Sequence, residues 1–144
     1  MGKKRIIKKQ GNSMDAGLRS RSVSRLPRKK MEMGTLNIHA TYNNTKVSFA
    51  DISGNVVMWS SSGALGFAGA KKSTPFAAAK VGEVIGEKAA SIGVKEANVV
   101  IRGVGAGRES ALRGFSSKGI NINQIVDDTP VPHNGPRPPK PRRV

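Results

Sequence analysis

The chain has 144 residues, with 25 Lys and Arg against nine Asp and Glu, a formal net charge of +16 and an isoelectric point near 11.1. That length accommodates one domain with appendages, and a core large enough to need neither disulfide nor metal. It contains no cysteine, which excludes disulfides, thiolate zinc sites and thiol catalysis, while so large a cationic excess calls for a polyanionic partner, nucleic acid before an anionic membrane. No run approaches the roughly 18 apolar residues of a membrane span, and the opening MGKKRIIKKQGNSMD lacks the apolar segment of a secretory signal.

The charge sits at the two ends. Residues 1–33 hold eleven Lys and Arg against Asp15 and Glu32, residues 129–144 hold four and no acid, and residues 34–128 hold ten against seven. The expected organisation is a flexible basic N-terminal arm (1–33), a globular α/β domain (34–128) and a proline-rich basic C-terminal tail (129–144). The arm shows no sustained helical or strand period, as a polar, Lys-, Arg- and Ser-rich segment would not.

From Gly34 the pattern changes. In TLNIHATY, Leu36, Ile38, Ala40 and Tyr42 alternate with polar residues, which predicts a half-buried strand. NNT reads as a turn, KVSFADI as a second strand, SGN as a tight turn and VVMWSS as a third strand. SSGALGFAGAKK is a small-residue loop. KSTPFAAAKVGEVIGEKAASIG then reads as a helix, with Ser73 or Thr74 as N-cap, Pro75 at the first helical position and Gly93 as the stop. Its apolar stripe is Ala78, Val81, Ile85, Ala89 and Ile92, and Gly82 and Gly86, four apart, indicate close packing on a sheet. ANVVIR reads as a strand covered on both faces. GVGAG leads into a second helix, RESALRGFSSKG, and ININQIV closes the domain as an alternating strand. The order βββαβαβ, with helices between the later strands, predicts parallel pairing there and a mixed five-strand sheet with helices packed on it.

GVGAGRES follows a strand and opens a helix, the place of a dinucleotide-binding loop. Gly103, Gly105 and Gly107 give G-x-G-x-G, and Arg108 stands where that fingerprint continues differently, so dinucleotide binding is set aside. Two readings remain: a phosphate seat of helix-start N–H groups with Arg108, or a plain helix start whose dipole Glu109 supports. GALGFAGAKKST lacks the Gly-Lys-Ser/Thr of a Walker loop and reads as a flexible basic loop in which Lys71 and Lys72 approach phosphate. His39 and His133 are the only histidines, too few for a triad or a His-based metal site. A nuclease of this strand order would hold metals with carboxylates on central strands, but the first strand has none, and Asp51, Asp127 and Asp128 lie at strand ends. No catalytic residue, metal or cofactor is therefore assigned. Asn43-Asn44-Thr45 reads as a polar hairpin tip able to touch RNA. Trp59 and Tyr42 are expected in the core or at a sheet edge, without the aromatic cluster of a single-strand binder.

Four blocks, HATYNNTKVSFAD, GFAGAKKSTPFAAA, GAGRESALR and DDTPVPHNGPRPPKPRRV, in this order and spacing, resemble the bacterial-type small-subunit ribosomal protein S-eleven family over roughly three quarters of the chain, from Gly34 to Val144. The resemblance implies an RNase H-like three-layer α/β/α fold without the nuclease site. It implies a non-enzymatic structural constituent of the ribosome that binds and bridges small-subunit rRNA helices on the platform, near the mRNA exit (Shine–Dalgarno) cleft. The implied partners are small-subunit rRNA and neighbouring proteins of the S-seven and S-eighteen families, with initiation factor three as a further candidate and no membrane. The implied location is the small ribosomal subunit; bacterial cytoplasm is favoured because the opening does not read as a convincing transit peptide, with an organelle as the alternative. Carried over by motif, the rRNA-binding candidates are Asn43 and Asn44, then Lys72, Ser73 and Thr74, then Gly107, Arg108 and Arg113, and in the tail His133, Asn134, Arg137, Arg142 and Arg143. Charge adds Lys3, Lys4, Arg5, Lys8, Lys9, Lys71 and Lys140. Asn134, followed by Gly135, is the candidate for isoaspartate formation, a change for which the family is noted.

The chain departs from its relatives in places. Many read GFRGSRKSTPF where this chain has Ala68, Ala70 and Lys71, which predicts a weaker rRNA grip at that loop or its replacement by other subunits. Pro136 replaces a common cysteine, and Pro141 a usual basic residue. The tail's prolines pre-set an extended backbone, about 3.1 Å per residue and at most roughly 50 Å for sixteen residues, so less entropy is lost when RNA orders it. Two rivals stay open: a general nucleic-acid compaction protein, and a metal-dependent nuclease on the same fold.

Overall fold

The computed structural model describes residues 30–143; the arm candidates Lys3, Lys4, Arg5, Lys8 and Lys9 lie outside the described residues. Alternation sorts the first strand, β1 (Met33–Ala40), so that Leu36, Ile38 and Ala40 are fully buried. It is followed by β2 (Thr45–Ala50), β3 (Val56–Ser61), a short 3₁₀ turn (Gly69–Ser73), helix α1 (Pro75–Ile92), β4 (Glu96–Gly103), helix α2 (Gly107–Ser116) and β5 (Asn121–Asp127). The sheet runs β3-β2-β1-β4-β5. β1 pairs antiparallel with β2 and β2 with β3, while β1 with β4 and β4 with β5 are parallel. The mixed five-strand α/β sheet is the one the sequence predicts.

The layering follows from handedness. β3, β1, β4 and β5 point the same way, and the two crossovers, through α1 and then α2, both step across the sheet toward β5. Right-handed crossovers stepping in one direction place both helices on one face. There Leu36, Ile38, Val47, Phe49, Met58 and Val99 meet Val81, Val84, Ile85, Ala111 and Phe115 in one apolar cluster, with the Phe49 and Phe115 rings stacked at 6.1 Å. Among the described residues the opposite face carries no helix, so the α/β fold stands as expected but the third layer is left open. β4 shows the same asymmetry. Ala97, Val99 and Ile101 are buried, whereas Asn98 and Val100 on the other face are only half-buried, so the expectation of cover on both faces is corrected.

Thr74, rather than Ser73, caps α1: its side-chain oxygen accepts from the Ala77 N–H at 3.3 Å, and Pro75 occupies the first turn. Gly93 ends the helix in the left-handed region at φ 98°. Gly82 and Gly86 face α2, not the sheet. A Cβ on Gly82 would collide with the Ala111 carbonyl oxygen and lie 3.0 Å from the Phe115 N, and one on Gly86 would lie 3.0 Å from the Phe115 O. Gly114 reciprocates against the Ala79 backbone. Helix therefore packs on helix, backbone to backbone. Lys88, on the same helix, is also buried, and desolvation pushes its ammonium below the usual lysine range.

Two aromatic expectations separate. Trp59 does lie on an edge strand, 56% exposed, but Tyr42 falls outside β1 and is 75% exposed. The alternation read across ININQIV is broken by a bulge, where Ala97 pairs with Ile122 and Asn98 with Gln124, leaving Asn123 as the extra residue.

Candidate nucleic-acid interface

Because β1, β3, β4 and β5 share a direction, the segments that follow them gather at one end of the sheet: the turn at 41–44, the loop at 62–74, the glycine turn at 103–107 and the tail. The carboxyl ends of strands are where open α/β sheets place their ligands.

The 41–44 turn is closed by Thr41, whose N–H donates to the Asn44 O at 2.9 Å and whose hydroxyl accepts from the Asn44 N–H at 3.1 Å. Asn43 is left exposed at the tip. Asn44 Oδ1 and Thr45 Oγ1 are buried without a hydrogen-bond partner among the described residues. The glycine turn packs directly on this end of β1. Gly105 N–H donates to the Ala40 O at 3.0 Å, and Gly103, at φ 98°, lies against the same carbonyl. Gly107 is buried against Thr45 and the Ala78 side chain, where no Cβ fits. The glycines thus serve close backbone approach. Ala106, at the N-cap of α2, makes no side-chain capping bond.

Arg108 turns inward along the domain. Its guanidinium donates to the Gly103 O and, at 3.1 Å, to Thr129 Oγ1, and it pairs with Asp127. Asp127 Oδ1 also accepts from the Thr129 hydroxyl at 2.6 Å and the Thr129 N–H at 3.0 Å. The Thr129 hydroxyl first, then Arg108, then the Thr129 N–H hold the Asp127 carboxyl well below its ordinary value, at about 2. A second clasp lies beside it: Arg102 Nε donates to Asp128 at 2.9 Å, and the Asp128 N–H to the Ile101 O at 2.9 Å. The tail is therefore tied to the domain as far as Thr129. Arg113, on α2, is exposed and pairs with Glu109 one turn back.

In the 62–74 loop, buried Leu65 is the anchor, with Ser62 N–H donating to the Thr45 O at 3.0 Å. The Ser73 hydroxyl donates to the Ala70 O at 3.2 Å and the Thr74 hydroxyl to the Lys71 O at 2.7 Å, so both shape the 3₁₀ turn. Lys71 is exposed and Lys72 half-buried. Beyond Thr129 the tail has no regular structure, and His133, Arg137, Lys140, Arg142 and Arg143 are all exposed. The tail bends at Asn134, which sits at φ 53°, the one non-glycine residue of positive φ among those described, a conformation asparagine tolerates.

The structure thus brings Asn43, Asn44, Lys71, Lys72, Ser73, Thr74, Gly107 and Arg108 to one end of the sheet together with the root of the tail, and sets Arg113 further along α2. Sequence reasoning missed the clasp of Arg102, Asp127, Asp128 and Thr129. The only local signal was two adjacent carboxylates ahead of a tail that holds cations and no acid. Among the described residues no group of three His, Cys, Asp or Glu is placed to hold a metal, and no helix is long and apolar enough to cross a membrane.

A family model described as Ribosomal protein S11 matches residues 34–143. The match spans well over half of the chain, and the chain belongs to that family. It is a family of structural, RNA-binding proteins of the small ribosomal subunit that serve translation, not a family of enzymes.

Proposed function

We propose that this member of the ribosomal protein S-eleven family binds and bridges rRNA helices of the small-subunit platform, close to the mRNA exit. The proposed neighbours are proteins of the S-seven and S-eighteen families, with initiation factor three as a factor that approaches the same region. The observation that carries the reading is the convergence of Asn43, Lys71, Lys72 and the start of α2 at one end of the sheet, beside a cationic tail clasped to the domain. Lysines, amide side chains and helix-start N–H groups are the groups that contact phosphate and sugar, and a tail rooted rigidly and stiffened by proline loses less entropy on ordering. Within this arrangement Arg108 contributes by holding the tail root, while Arg137, Lys140, Arg142 and Arg143 supply the tail's charge.

Filter binding at physiological salt tests it, comparing a platform rRNA fragment with duplex DNA of equal length. The rRNA fragment is expected to bind at least about tenfold more tightly, since the specific-to-non-specific ratio of nucleic-acid binders starts well above that. Equal affinity for both would overturn the reading in favour of a general compaction protein.

A further inference from the structure

The face of the sheet opposite the helices is not an apolar surface awaiting cover. The strand register places Ser61, Lys46, His39 and Arg102 in one row across four strands, and Trp59, Ser48, Asn37, Val100 and Val126 in the next. Directly paired residues point to the same side, and Val47, Phe49, Val99 and Ile101 between them point to the helices. Lys46 Nζ lies 5.6 Å from the centre of the Trp59 ring, and a shallow groove runs over this face, lined by Asn37, His39, Lys46, Ser48, Val100 and Arg102 among others. The row of Lys46, His39 and Arg102 borders the carboxyl end of the sheet, so it continues the interface described above. Of the described carboxylates near it, Asp128 pairs with Arg102 and offsets its charge, which leaves Lys46, placed over the Trp59 ring, to supply the charge of the row. Glu96 is at the other end of β4 and accepts a hydrogen bond from Asn123 at 2.8 Å; six residues from Arg102, it is roughly 20 Å away along the strand.

We propose that this open sheet face is a second RNA-docking surface, taking an unpaired segment of RNA with one base stacked on Trp59 and a backbone phosphate held by Lys46. The inference rests on the rRNA-binding reading above and adds a surface to it. Charge and hydrogen-bonding groups select the occupant: a lysine with amide, imidazole and hydroxyl groups beside it matches a phosphate backbone and base edges, not an apolar protein face. One exposed aromatic ring is enough to stack one base, and every base has a π-face for it. The open face also has the geometry that sheet-based RNA binders use, side chains standing outward from neighbouring strands about 4.8 Å apart.

Trp59 is the only tryptophan of the chain, so its fluorescence reports on this face alone. The full-length protein is titrated with a platform rRNA fragment that carries a single-stranded loop, following Trp59 emission and filter binding together. The expected result is quenching that saturates with binding. Trp59→Ala and Lys46→Ala are each expected to weaken binding about tenfold, and Lys80→Ala, which removes one charge from the helical side, by far less. Trp59 is exposed, so both site variants are expected to fold, and a thermal melt verifies it. Tight rRNA binding with Trp59 emission unchanged, or with Lys46→Ala no worse than Lys80→Ala, overturns this proposal while leaving the rRNA reading standing. Absence of rRNA preference in filter binding defeats the rRNA reading itself.

Discussion

Arg108 joins the nearby Gly103 carbonyl to Asp127 and Thr129 at the far end of the domain sequence. Its position after a glycine run at a helix start made it legible as a phosphate ligand, because that inference needs only local residues. Its actual partners stand 19 and 21 residues further on, beyond the reach of any local pattern. The consequence is a dependence on pH. The Asp127 carboxyl is lowered from 3.8 to about 2 in the folded chain, so the clasp's contribution is fully present above the unfolded value and is lost as pH falls through the folded one. An NMR titration of the Asp127 carboxyl and the Thr129 amide is expected to show both moving together near pH 2; a midpoint in the ordinary carboxylate range would sink the clasp. Asp127→Asn is expected to lower protection of the Thr129 amide several-fold in hydrogen exchange. The melting temperature should scarcely change, because an exposed pair adds little to global stability.

At the scale of elements, alternation, one continuous apolar run and the glycine and proline boundaries located the five strands and two α-helices of the described residues, and the cap and stop of α1 were readable from Thr74-Pro75 and Gly93. The meaning of Gly82 and Gly86 was not. Spacing four apart marks a face of a helix, but whether a sheet or another helix approaches that face depends on where the following helix lands. Here α2 lies against it, with Gly114 facing Ala79. Gly82→Ala sets two effects against each other. Alanine favours an exposed helix by about 1 kcal/mol, while the new methyl group meets the Ala111 backbone, which cannot move as a flexible side chain does. Overpacking of this kind costs about 1–3 kcal/mol, so destabilisation wins and the melting temperature should fall by roughly 2–6 °C for a chain of this length. Gly86→Ala should be milder, since the nearest atom it meets is the Lys118 Cγ at 2.7 Å, on a side chain that can shift. Thermal melts of the two variants check the order, and a Gly82→Ala protein as stable as the parent would refute the helix-on-helix contact.

For the whole molecule, the domain is nearly balanced in charge and its terminal segments are not. Truncation after Pro130 keeps Thr129 and the clasp but removes Arg137, Lys140, Arg142 and Arg143. If all four neutralise phosphates, the slope of log affinity against log salt should become shallower by roughly 3, at about 0.7–0.9 per phosphate; an unchanged slope in filter binding would show that the tail stays off the RNA. The sequence by itself determined the class of the fold, the order of its strands and helices, the cationic ends and the four motif blocks that place the chain in its family. Each of these depends on residues close together in the chain, on side-chain alternation, on charge, or on the conformational limits of proline and glycine. Only the tertiary structure decided which face of the sheet is covered, that Arg108 clasps the tail, that the α1 glycines receive a helix, and that Trp59 stands beside Lys46 on an open surface. Those outcomes depend on the shared hand of two crossovers and on pairings between distant residues, which no short stretch of sequence contains.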